Sequence, residues 1–76
     1  MNDPLALIEL LDWNLDPRPS PYQRNAWLSL LSMPEDTVLP LLRETRAKLM
    51  AQDASYYPYN YEAAFIRCKI TNKTNL

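Results

Sequence analysis

Carboxylates are the one side-chain class in this chain with the numbers and spacing that proton transfer or Mg²⁺ binding would use. The candidates are Glu9 with Asp12, Glu35 with Asp36, and Asp16. A spacing of three lets Glu9 and Asp12 share one helix face. Acid/base work also needs a desolvated pocket that raises the pKa of one partner. A helical chain of 76 residues rarely encloses one, so these acids read as solvated-face and helix-N-terminal charges.

The remaining chemistry is limited by composition. Histidine and glycine are absent, and Cys68 is the single cysteine. Without glycine there is no phosphate-cradling loop, dinucleotide fingerprint or nucleophile elbow, since each needs the backbone freedom or close approach that glycine allows. Without histidine, Ser–His and Cys–His nucleophile pairs cannot be built. A zinc site would lack three ligands of the usual kind. Cys68, between Arg67 and Lys69, reads as a small buried hydrophobe. The expectation is a cofactor-free, metal-free protein that is not an enzyme.

Any function must therefore be carried by surfaces, and those depend on the elements that position them. Helix 1 is expected over 4–13, with Asp3 as N-cap and Pro4 at the first helical position. Leu7, Ile8, Leu10 and Leu11 form its apolar arc. Residues 14–20 are a connector stiffened by alternating Pro17, Pro19 and Pro21. Their spacing is P-x-P-x-P, which does not suit an SH3-type groove.

Helix 2 is expected over 21–32, opened by a Ser20/Gln23 capping box. Tyr22, Ala26, Trp27, Leu30 and Leu31 share one face, and Leu28 falls outside it. Helix 3 is expected over 38–52, after a turn at Met33–Asp36. A Ser32/Glu35 capping box would start it earlier, but Pro40 would then remove a backbone bond deep in the helix, so Thr37 as N-cap, which keeps Pro40 in the first turn, is preferred. Val38, Leu41, Leu42, Thr45 and Leu49 form the core stripe.

Residues 61–70 fit two patterns. Tyr61, Ala64, Phe65 and Cys68 have helical spacing, with Asn60 as N-cap. Ala64, Ile66, Cys68 and Ile70 alternate as in a strand. No other segment reads as a strand, so a strand here would have to pair with another chain. The helix is the preferred reading, with a loose polar tail over 72–76. The fold class expected is all-α: one domain, a small bundle of three to four short helices joined by proline-rich turns.

Charge is unevenly spread. Residues 1–36 hold six acids against two bases, and residues 37–76 hold three acids against six bases. Two halves that attract one another explain this without a partner. A helix-turn-helix reading of helices 2 and 3, with the basic half on nucleic acid, is the alternative. It is disfavoured because the turn lacks glycine. Glu35 and Asp36 would also sit near the phosphates, where acids repel.

The densest unusual feature is Tyr56, Tyr57, Tyr59 and Tyr61 around Pro58. Such a segment can strap an undersized core or supply contact area at low entropy cost. Base stacking would want interleaved cations, and none occurs between Asp53 and Glu62. On helix 3, Leu39 and Met50 lie off the core stripe with Arg43 and Arg46 nearby. If contiguous, they form an apolar spot with a basic rim.

The function expected is a small adaptor, inhibitor or accessory subunit docking on a larger protein. Its contacts would be Tyr56, Tyr57, Tyr59, Tyr61, Leu39, Met50, Arg43 and Arg46. Nucleic acid ranks below a protein partner, a homodimer is compatible, and no membrane is expected because no apolar run is long enough. The acidic Met1–Pro4 start does not resemble a secretory signal. With the lone cysteine, it points to the cytoplasm.

Overall fold

The computed structural model describes the backbone of residues 3–17 and 21–75, and their side chains except those of Tyr22 and residues 72–75. The chain is all-helical there: α1 (Pro4–Glu9), α2 (Pro21–Leu31), α3 (Glu35–Gln52) and α4 (Tyr61–Asn75). No strand occurs among the described residues. Residues 61–70 are helical, as the preferred reading has it, and the strand alternative is set aside.

Asp3 caps α1 as its residue type suggests, its carboxylate accepting from the Leu5 N–H at 3.1 Å. The helix ends at Glu9, four residues before the expected Trp13. Its last turn tightens, with Leu10 and Leu11 N–H groups bonding three residues back. Two side chains then divert the backbone. The Asp12 carboxylate accepts from the Asn14 N–H at 3.0 Å. The Asp12 N–H itself donates to Gln23 Oε1 on α2. Local side-chain acceptors of this kind compete with the helix for its donors. Trp13 is thereby turned into the core.

The α2 helix closes one residue earlier than expected and buries Ala26, Trp27 and Leu30. The Ser20 half of the proposed capping box lies outside the described residues.

The α3 helix begins at Glu35, three residues before the expected start, with Pro34 as N-cap. The Thr37 and Val38 N–H groups both bond to the Pro34 carbonyl. Pro40 consequently sits inside the helix, past the first turn. It offers no N–H to the Asp36 carbonyl. Both residues are exposed, so water can serve that carbonyl and the helix continues.

The α4 helix is capped by Asn60, whose side chain accepts from the Ala63 N–H at 3.1 Å. It runs through Asn75, so residues expected to be a loose tail are helical up to that point. Leu76 lies outside the described residues.

The principal helix contacts pair α1 with α2 and α3, and α4 with α3 and α2. The consecutive α2 and α3 are not a principal pair, unlike the two helices of a packed helix-turn-helix unit. Glu62 of α4 meets Arg43 and Arg46 of α3, and further along α4 Lys69 Nζ donates to the Met33 carbonyl at 2.8 Å. The two helices therefore run antiparallel. Ile8, Leu30, Val38, Leu42, Tyr61 and Phe65 are fully buried at the centre. Aromatic rings connect the elements: Trp13 lies 4.8 Å and Trp27 5.1 Å from Tyr61, and Phe65 lies 6.0 Å from Trp27.

Candidate functional site

The tyrosine segment divides between core and surface. Its loop starts at Asp53, whose carboxylate accepts from the Ser55 hydroxyl at 2.7 Å and the Ser55 N–H at 3.0 Å. Those two donors hold the Asp53 carboxyl below its ordinary pKa. The Tyr56 N–H bonds the Asp53 carbonyl, and the Tyr59 N–H bonds the Trp13 carbonyl. Tyr56 and Tyr59 are half-buried against the core.

Tyr61 is fully buried, which corrects its expected place among the partner contacts. Its hydroxyl lies 2.9 Å from the Leu15 carbonyl and 3.1 Å from that of Asp12, sharing one proton between them. Burial, with the negative charge of Asp12 next, raises its pKa well above the ordinary phenol value. Tyr57 alone of the four stands free, 82% exposed.

The expected apolar spot on α3 does not form as one patch. Leu39 packs against the core, while Met50 is 40% exposed. Eleven residues of helix separate them by roughly 16 Å. The basic rim is also engaged. Arg46 Nε binds Glu62 Oε1 at 2.8 Å, and Arg43 Nε lies 3.4 Å from Glu62 Oε2. Arg46 Nη1 also lies 3.7 Å from the Met50 sulfur. Arg43 keeps most of its side chain in solvent.

Two features escaped the sequence reading. One is the tertiary role of Gln23, expected only as half of a capping box and buried on α2. Its Oε1 accepts from the Asp12 N–H and its Nε2 donates to the Asp16 carbonyl at 3.0 Å, so one side chain pins both ends of the turn after α1. The other is an open groove of about 590 Å³ between α2 and α4, lined by Pro17, Arg24, Trp27, Leu28, Leu31, Arg67, Cys68 and Thr71. Leu28, already displaced from the core stripe by its position, was the available signal for it.

Of the five candidate carboxylates, only Asp16 is half-buried, at the edge of a hollow of about 240 Å³ that it shares with Tyr59 and Arg67. Glu9, Asp12, Glu35 and Asp36 are all exposed. Among the described residues, no three His, Cys, Asp or Glu side chains gather as a metal site would require. No described helix is long and apolar enough to cross a membrane. No family model matches this chain, and neither does any curated protein or solved structure with which it was compared.

Proposed function

We propose that this protein is a non-enzymatic interaction module, an adaptor, inhibitor or accessory subunit that docks on a larger protein. The observation that carries this reading is the presentation of Tyr57. The residue is 82% exposed, while Tyr56 and Tyr59 on either side pack on the core and the Tyr59 N–H is tied to the Trp13 carbonyl. A large aromatic held outward on a pinned loop loses little entropy when it enters a pocket. Such residues commonly act as binding anchors.

The loop follows the last turn of α3, which carries the half-exposed Met50, and Arg43 keeps a solvated guanidinium on the same helix. These supply an apolar neighbour and a polar rim. Nucleic acid is the weaker reading, because Arg43 and Arg46 already share Glu62 and the α3 N-terminus carries Glu35 and Asp36. The lone, half-buried Cys68 supports a reducing, cytoplasmic setting.

A photo-crosslinking side chain at position 57 tests the reading, with one at the exposed Glu44 as control. In nuclease-treated native lysate, position 57 should join to one discrete protein and position 44 should not. Adducts that vanish with nuclease, or equal adducts from both positions, overturn it.

A further inference from the structure

The groove between α2 and α4 combines an apolar floor with two cations that have no acidic partner among the described residues. Trp27, Leu31 and Cys68 line it, and Leu28 stands 50% exposed within it. A smaller hollow of about 240 Å³ shares Pro17, Trp27, Arg67 and Cys68 with it and reaches Ala64 and Tyr59. The two hollows together follow α4 from Ala64 to Thr71, seven residues or roughly 10 Å. That is the length between positions i and i+7 of a helix laid into a groove.

Charge narrows the occupant. Arg43 and Arg46 pair with Glu62, Lys48 pairs with Glu44, and Lys69 donates to the Met33 carbonyl. Arg24 and Arg67 both line the groove and are exposed, and neither has an acidic partner among the described residues. Asp16 lines the smaller hollow together with Arg67 and is absent from the lining of the larger one, where Arg24 and Arg67 both lie. An occupant thus gains from carboxylates beside Arg24 and Arg67 and from apolar side chains between them. Nucleic acid fits less well: two cations make a poor phosphate surface, and Trp27 is too buried to offer a ring face for stacking.

We propose that this groove receives an acidic amphipathic helical segment of a partner protein. Its apolar i, i+3/i+4 and i+7 side chains cover Leu28, Leu31 and Cys68 above the buried Trp27, and its flanking carboxylates meet Arg24 and Arg67. This surface is separate from Tyr57 and does not depend on it. Two surfaces on one small domain would let it bridge two partner segments.

The test is an amide NMR titration of the isotopically labelled full chain with a synthetic helical peptide of about 15 residues. The peptide carries leucines at the spacing above and glutamates on the flanks. A second peptide has lysines in place of the glutamates, and an oligothymidylate is the third probe. Shifts confined to Leu28, Leu31, Arg67, Cys68 and Thr71 are expected, with the acidic peptide at least about tenfold tighter than the basic one. The double variant Arg24→Glu/Arg67→Glu, at two exposed positions, should reverse that preference. Tyr57→Ala should leave the titration unchanged, even if it abolishes docking elsewhere.

Equal binding of the two peptides overturns the proposal, as does the absence of shifts at millimolar peptide. So do shifts outside the groove, the same shifts with oligothymidylate, and the same shifts on concentrating the chain alone. Loss of peptide binding in Tyr57→Ala overturns the separateness of the two surfaces.

Discussion

Arg46 Nε and Glu62 Oε1 lie 2.8 Å apart across the seam between α3 and α4. The pair turns one of the bases of the C-terminal half inward, to an acid of that same half. The basic excess of residues 37–76 is therefore partly structural. It helps hold two antiparallel helices together, and it is a poorer phosphate surface than its composition suggests.

Glu62→Gln should cost about 1 kcal/mol or less, because one partner is two-thirds exposed and the other is partly wet. Thermal unfolding should show the loss shrinking as salt rises, since screening weakens the wild-type pairs. A loss of several kcal/mol that is insensitive to salt would contradict the account.

Tyr61→Phe removes the hydroxyl that serves the Leu15 and Asp12 carbonyls. Denaturant unfolding should register a cost of about 1–2 kcal/mol at neutral pH. The pH dependence has a defined sign. The folded pKa is raised above the unfolded value of about 10, so the stabilisation is fully present below about pH 10 and is lost as pH rises from there toward the folded value. The phenylalanine variant should show a shallower alkaline loss than wild type. Parallel pH profiles would mean that this hydroxyl is not tied down.

Gln23→Ala should be at least as damaging, about 1–3 kcal/mol, because it truncates a buried side chain and leaves a partly buried N–H and a carbonyl at the turn after α1 without this partner. Hydrogen exchange at Asp12 should accelerate more than in the helix centres. Unchanged protection there would contradict the assigned bond.

How much of this was legible in the sequence depends on range. Asp3, Pro4 and Asn60 act within three residues of themselves, and their roles as caps or first helical residue were readable. The stripe through Val38 and Leu42 was readable because helical periodicity alone sets it. The end of α1 was not, because Gln23, eleven residues away, takes the Asp12 N–H. The start of α3 was missed for a different reason: a proline past the first turn is tolerated where the orphaned carbonyl faces water. Among four adjacent tyrosines, the pattern could not say which faces inward. That was decided by the Trp13 carbonyl holding Tyr59 and by Tyr61 reaching back 46 residues to Leu15. The groove is likewise a property of two packed helices and of neither one alone.

Pro40→Ala should stabilise the fold by about 1–2 kcal/mol. The alanine restores a donor for the Asp36 carbonyl and improves helix propensity, partly offset by a freer unfolded chain. A fall in melting temperature would show that Pro40 supports a bend the helix needs.

The central claim is that the exposed Tyr57 anchors a protein partner. The most direct measurement compares wild type and Tyr57→Ala as baits in nuclease-treated native lysate, alongside their melting curves. Stability should agree within about 0.5 kcal/mol, as expected for a surface position. A stoichiometric protein retained by wild type should fall at least about tenfold with the variant. Equal retention by both baits, or retention that disappears with nuclease, would contradict the claim.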